Sequence, residues 1–225
     1  MIDLVRAWEI LTSKFSTFMG GVGVTLELAV FTVVLGSLLG LVVAVFRRTR
    51  FLPLRILMNV YVAFIRGTPL LVQVLIVVYG LPQIGFRLLR MTLCVIALVI
   101  NSGAYMAELI RAGLQSVDRG QLEAADSLGM SASQRMLYII LPQAIKVTLP
   151  AVGNEFIAII KESSVLYAVG VYELTYQAYK LASVNYRYIE TLLDAAIIYF
   201  VLTYVMTKLL GLLERRLRRS DKTSD

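Results

Sequence analysis

The chain has 225 residues, 58% hydrophobic and only 16% charged, with a mean hydropathy of +0.76 and a net charge of +7. Soluble domains run about 45–50% apolar and about 25% charged, so there is too little charge here to coat a soluble globule. The same figures exclude a disordered, collagen-like or disulfide-rich chain. The single cysteine, Cys94, cannot form an internal disulfide, and the absence of histidine removes imidazole metal ligands and His-based catalysis.

Residues 1–20 are of mixed polarity and lack the apolar core of a cleavable signal peptide. Val5, Trp8, Leu11, Phe15 and Phe18 recur at helical spacing, which predicts an amphipathic helix over 1–21 lying along a membrane surface. Apolar stretches of about 20 residues mark membrane spans, and five follow: 22–46, 56–79, 88–110, 137–160 and 192–213. The second is interrupted by Arg66, Gly67 and Pro69 and the fourth contains Pro142 and Pro150. Neighbouring helices can satisfy the backbone groups that such residues free. The predicted class is an all-α membrane protein with five spans and a tail over 214–225, of which 220–225 is polar and frayed.

Five spans put the ends of the chain on opposite sides. Twelve basic residues lie on one side: Arg47, Arg48, Arg50, Arg55, Arg111, Arg119, Arg135, Arg215, Arg216, Arg218, Arg219 and Lys222. Six lie on the other: Arg6, Lys14, Arg87, Arg90, Lys180 and Arg187. The positive-inside rule then places the N-terminus outside and the C-terminus in the cytoplasm. The surplus of positive charge reads as a topology signal, and no basic–aromatic platform accompanies it that would suit nucleic acid.

The longest inside loop is itself patterned. Asp118 with Gln121 three residues on predicts a capping box, residues 121–128 a short helix, and Gly129 its left-handed end. Ser131 with Gln134 predicts a second capping box opening the fourth span. Ala124 and Ala125 let another surface approach the backbone closely. The short helix is either a docking element or a solvated connector.

The residues Glu123-Ala124-Ala125, Gly129, Ile139, Leu141 and Pro142 match at every position the pattern E-A-A, three residues, G, nine residues, I-x-L-P. By this pattern the chain resembles the permease subunits of ABC importers. Phe64-Ile65-Arg66-Gly67-Thr68-Pro69-Leu70-Leu71-Val72-Gln73, Ala104-Tyr105 with Ala107-Glu108 and Arg111-Ala112-Gly113, and Gly153-Asn154-Glu155-Phe156 before Lys161-Glu162-Ser163-Ser164 are similar to the polar amino acid uptake group. The resemblance runs from about residue 20 to residue 215. It implies the type I importer permease fold: five spans, an outside N-terminus and a cytoplasmic coupling helix within the loop 118–142. It also implies a cytoplasmic (inner) membrane location, a second permease subunit, identical or homologous, and an extracellular or periplasmic binding protein for an amino acid substrate. The coupling role falls on Glu123, Ala124, Ala125 and Gly129. ATP and Mg belong to a partner ATPase, in keeping with the absence here of a G-x-x-x-x-G-K-[ST] phosphate loop; the chain itself carries no cofactor, metal site or catalytic residue.

Ionisable residues at membrane depth mark function by default. Glu155 and Glu162 are seven apart, about two helical turns, and so share a face; with Lys161 nearby they suit a zwitterion or cation, which points to a basic amino acid such as arginine, lysine or histidine. A salt bridge from Glu155 to another helix, for example to Arg66, is the other reading. Arg66 itself could brace the backbone freed near Pro69 or meet substrate, and Thr68 and Asn154 join the expected path. Glu27, Glu108 and Asp194 read as residues at span ends, held by snorkelling or by an interface. Asn101 and Ser102 read as helix–helix hydrogen-bonding residues. The tyrosines between 172 and 190 are interface anchors, or else a gate or docking surface. A neutral polar substrate such as glutamine or cystine is the second substrate reading. A secondary transporter is disfavoured by the lack of an internal repeat, and a Ser–Lys enzyme built on Lys161, Ser163 and Ser164 by the lack of a nucleophile turn.

Overall fold

The structure, a computed structural model, describes residues 4–219, with side chains from 5 to 215. Every regular element among them is helical. In order these are α1 (Leu4–Ser13), α2 (Phe15–Arg47), α3 (Leu52–Arg66), α4 (Leu70–Leu75), a π turn (Ile76–Gly80), α5 (Leu81–Gln83), α6 (Arg90–Gln115), α7 (Arg119–Ser127) and α8 (Ala132–Arg135). A second π turn (Met136–Ile140), α9 (Leu141–Glu162), a 3-10 turn (Ser163–Val169), α10 (Leu174–Asn185) and α11 (Tyr188–Arg219) complete it.

Four segments are each long and apolar enough to cross a membrane: Phe15–Arg47, Arg90–Gln115, Ala132–Val169 and Tyr188–Arg215. They contain the first, fourth and fifth predicted spans and all but the first two residues of the third. The second differs: its two halves, Leu52–Arg66 and Leu70–Gln83, meet at a bend of 111°. The residues read from sequence as interruptions are the bend itself. Gly67 closes α3, and Pro69, extended at φ −65° and ψ 136°, opens α4. A proline disfavours the helical region for the residue before it, which ends the first helix there.

The bend still leaves a crossing, because α2 and α6 are parallel. Gly36 faces Ser102 and Gly103, and one turn later Gly40 faces Met106 and Ala107. Two parallel neighbours need a connection that returns the chain to the starting end, so residues 48–89 make one net crossing. That gives five. The close approach of the two backbones rests on glycine: a Cβ at Gly36 would lie 2.8 Å from Ser102 Oγ, and one at Gly40 would collide with Met106 and come within 2.9 Å of the Ala107 nitrogen.

α9 runs antiparallel to these helices. Its early residues Ala144 and Thr148 meet Gly113 near the end of α6, and its late residues Ile159 and Ile160 pack on Ala29 of α2. α11 is antiparallel to α9: Gly153 lies against Leu210, while Ile160 and Tyr199 share one apolar cluster. Hence Arg47, Arg111, the α7–α8 hairpin and Arg215 all fall at one end of the bundle. The basic segments grouped by charge counting are therefore grouped in space.

Both π turns end two residues before a proline, Pro82 and Pro142. A proline removes an N–H and crowds the carbonyl four residues back, and a π turn relieves that conflict without ending the helix. Pro150, inside α9, is carried without a break.

The N-terminal boundary is corrected. The amphipathic helix is α1 alone, and the first membrane helix begins at Phe15 rather than at 22. Phe18 is fully buried, clustered with Leu174, Ala178 and Ala195, instead of facing lipid. The tail expected over 214–225 continues α11 as far as Arg219; the segment 220–225, expected to fray, lies outside the described residues.

Candidate functional site

The E-A-A loop forms a braced helical hairpin. Asp118 caps α7 by accepting from the Gly120 N–H at 2.8 Å. The expected partner in its capping box, Gln121, is turned elsewhere: its Oε1 accepts from Gln143 Nε2 of α9 at 2.6 Å. At the other end the Met130 N–H donates to the Ala125 carbonyl at 3.1 Å and the Gly129 N–H to the Asp126 carbonyl at 3.0 Å. This pair of bonds is a Schellman motif, and it needs the left-handed φ of +72° that Gly129 adopts. Ser131 and Gln134 form the predicted capping box in full. An ion pair from Arg135 to Asp126 ties the two arms together. Ala125 is buried against the hairpin, while Glu123, Ala124 and Leu128 are exposed. The helix is thus rigid at both ends and bare along one face.

The intramembrane polar residues fall into two neighbouring groups. In the first, Gln73 Nε2 reaches the Ile65 carbonyl at 2.8 Å, the Thr68 carbonyl at 3.1 Å and Thr68 Oγ1 at 2.9 Å. Its own carbonyl accepts from Asn101 Nδ2 at 3.0 Å. The helix–helix role read for Asn101 is therefore the observed one. Thr68 also donates to the Phe64 carbonyl at 2.9 Å, so its hydroxyl is spent on the bend. Gln73 was not singled out from sequence, although a lone amide just past a Gly-Thr-Pro break is the signal that marks it.

Arg66, at the end of α3, lies 3.8 Å from Glu108 and 5.5 Å from the centre of the Tyr105 ring. Its carboxylate partner is Glu108, which replaces the suggested pairing with Glu155. Glu108 also takes an ion pair from Arg47 and bonds from Arg111 at 2.7 and 3.0 Å. It is the hub of three guanidiniums, where the sequence suggested a residue at a span end. Asp194, read in the same way, is 1% exposed and enclosed; its Oδ2 has no hydrogen-bond partner among the described residues. Glu27 is exposed.

In the second group Glu155 is half-buried beside Ser102 of α6 and on the same face of α9 as Glu162. Asn154, Lys161 and Glu162 are exposed on this single chain. Adjacent residues of α6, Asn101 and Ser102, therefore face the two groups: one holds the bend and the other lies beside the acid of α9.

At the opposite end of the bundle, Glu173 is fully buried and caps α10. It accepts from the N–H groups of Thr175 (2.8 Å) and Tyr176 (2.6 Å) and from the Tyr199 hydroxyl (2.8 Å). Burial pushes its carboxyl above the usual range, against the pull of those donors. Tyr167, Tyr172, Tyr176, Tyr179 and Tyr188 form ring contacts at this end with centroids 4.7–5.8 Å apart.

A bundle with polar groups at membrane depth and a capped hairpin at its basic end suits a membrane transport subunit. Residues 36–219 match the model of the "Binding-protein-dependent transport system inner membrane component" family, and the chain belongs to that family. The chain is 43% identical over 212 residues to the "Probable glutamine ABC transporter permease protein GlnM" of Bacillus subtilis (strain 168), covering 94% of this chain and 98% of GlnM. It is 38% identical over 202 residues to the "Arginine transport system permease protein ArtQ" of the same organism, covering 89% and 92%. Among solved structures it superposes on an amino acid ABC transporter with histidines at a TM-score of 0.90 and 45% identity, covering 96% of this chain and 99% of the other. The resemblance to amino-acid importer permeases and the all-helical fold expected from it are thereby borne out.

Proposed function

We propose that this chain is the membrane subunit that carries an amino acid inward, coupled through α7 to a separate cytoplasmic ATPase that binds ATP and Mg. The observation that carries the reading is α7 itself: a helix capped at both ends, exposed along Glu123 and Ala124, and joined through Gln121–Gln143 to the helix that bears Glu155. Closure of two ATPase subunits would draw paired α7 helices together, and a rigid connection to α6 and α9 would change the side to which the path opens. The apolar stretches within 132–169 and 188–215 are left largely uncovered by the rest of the chain, which supports a second permease subunit across part of those faces. The end bearing Arg47, Arg111 and Arg215 is cytoplasmic by the charge bias, so the N-terminus is outside and a binding protein delivers substrate there.

The substrate we assign is a basic amino acid, held by Glu155 with Glu162 and Lys161 along the exposed face of α9 beside Asn154. Two acids on one face suit a cationic side chain, and one relative named for arginine and a neighbour holding histidines agree with that class. The relative named for glutamine favours a neutral polar substrate instead. Reconstitution with the ATPase and a binding protein decides between them. Labelled arginine uptake should be competed by lysine, and Glu155→Gln should weaken it selectively. Competition by glutamine alone, with Glu155→Gln neutral, would overturn the basic assignment.

A further inference from the structure

The basic end of the bundle carries a cavity of about 240 Å³ between α2, α3 and α6. Arg47, Arg48, Asn59, Ala107, Arg111 and Gln115 are among the residues that line it. The guanidiniums of Arg47 and Arg111 are already oriented by Glu108, and Arg47 Nε also donates to Asn59 Oδ1 at 2.7 Å. Arg66 stands on the same carboxylate. One acid thus faces three arginines, and Arg48, exposed on the rim, adds a fourth positive charge with no acidic partner among the described residues. The excess is held in place rather than spread over flexible side chains. Asn59 and Gln115 supply amide groups beside it. This donor set suits a phosphate oxygen, which arginine pairs well.

The position of the cavity chooses the kind of phosphate. Its walls are the ends of two membrane helices and an apolar third one. Phe46, Phe51, Leu52, Ile56 and Val60, adjoining in sequence, are all 40% or more exposed. A basic pocket between membrane helices with apolar side chains beside it is the arrangement that takes a lipid headgroup with its acyl chains alongside. We propose that this cavity binds the phosphate of an anionic phospholipid, so that lipid composition sets how firmly α3 is held against α2 and α6. The inference uses only the reading that this end meets the cytoplasmic leaflet; it does not depend on the substrate.

The test uses the full-length chain in nanodiscs of phosphatidylcholine with and without phosphatidylglycerol, read by lipid retention in native mass spectrometry and by thermal unfolding. Phosphatidylglycerol should be retained and should raise the midpoint. Arg48→Gln, which breaks no side-chain hydrogen bond or ion pair among the described residues, should weaken retention about fivefold, the effect of one basic residue at such a surface. Arg50→Gln, an exposed neighbour outside the cavity, should leave retention unchanged. Inorganic phosphate added to pure phosphatidylcholine discs tests the other source: no rise in midpoint supports the headgroup, and a rise equal to that from phosphatidylglycerol overturns the lipid in favour of a soluble anion. Equal losses in Arg48→Gln and Arg50→Gln would show only diffuse surface charge and overturn the site, as would equal midpoints with and without phosphatidylglycerol.

Discussion

Asn101 of α6 donates its side-chain amide to the side-chain carbonyl of Gln73, 3.0 Å away and buried in the bundle, and this bond holds the bent crossing in its shape. The amide of Gln73 in turn covers the carbonyls of Ile65 and Thr68, which the end of α3 leaves open. A buried polar group left without its partner costs about 1–3 kcal/mol. Asn101→Leu should therefore lower stability by about 2 kcal/mol, and Gln73→Leu by at least as much because it uncovers the bend as well. Thermal unfolding in detergent measures both. Replacing both residues should cost less than the sum of the two singles, because each single change strands the other amide.

The glycine seam between α2 and α6 gives a second expectation. Gly40→Val should destabilise by about 3 kcal/mol or abolish folding, since its side chain would enter the space of Met106 and the Ala107 backbone. Gly23→Ala, on the same helix but with no atom within 4 Å of the added carbon, should be neutral or slightly stabilising through helix propensity. Equal losses at the two positions would mean that helix propensity, and not the parallel contact, sets the glycine requirement.

Glu108 predicts an electrostatic response. Glu108→Gln leaves Arg47, Arg66 and Arg111 around an uncharged amide. Arg66 and Arg111 are 45% and 49% exposed, so water screens much of their repulsion, and the expected loss is about 2 kcal/mol rather than the full cost of a buried unpaired charge. Added salt should recover part of it. Arg111→Gln in the wild-type background should cost less, because Arg47 still neutralises the acid. Unfolding midpoints of the three proteins across ionic strength check this ordering.

These cases show where residue order is informative. Hydropathy marks α2, α6, α9 and α11 directly, because each crossing needs an unbroken apolar run. The hairpin of α7 and α8 is legible because caps are local: Asp118, Gly129 and Ser131 act within a few residues. The 111° bend was visible only as Gly67 and Pro69 inside an apolar run, since its support comes from Gln73 and Asn101, 28 residues apart. α10 was missed because its N-cap, Glu173, is satisfied partly by Tyr199 on another helix. Glu108 was read only in part for the same reason: Arg111 is its i+3 neighbour on α6, but Arg47 on α2 and Arg66 at the end of α3 reach it only through packing.

In the proposed function, Gly129 joins a local conformation to coupled transport. Its φ of +72° lies in the left-handed region, and a Cβ there meets no neighbouring atom, so any effect of substitution comes from the backbone. Gly129→Ala should cost about 1–2 kcal/mol in that conformation. The local loss is avoided if the end of α7 rearranges and gives up the bonds from Gly129 and Met130 to Asp126 and Ala125. Those bonds fix the direction in which α7 meets α8 and α9, so a rearranged hairpin would follow the ATPase without moving the membrane helices. In the reconstituted complex, Gly129→Ala and more strongly Gly129→Asp should keep ATP hydrolysis while lowering uptake per ATP, with the spans still inserted. Gly129→Asn should fall between wild type and alanine, because asparagine tolerates the left-handed region. Uptake per ATP unchanged in Gly129→Asp would remove α7 from the coupling path, and loss of both activities together would show a binding defect at the ATPase rather than uncoupling.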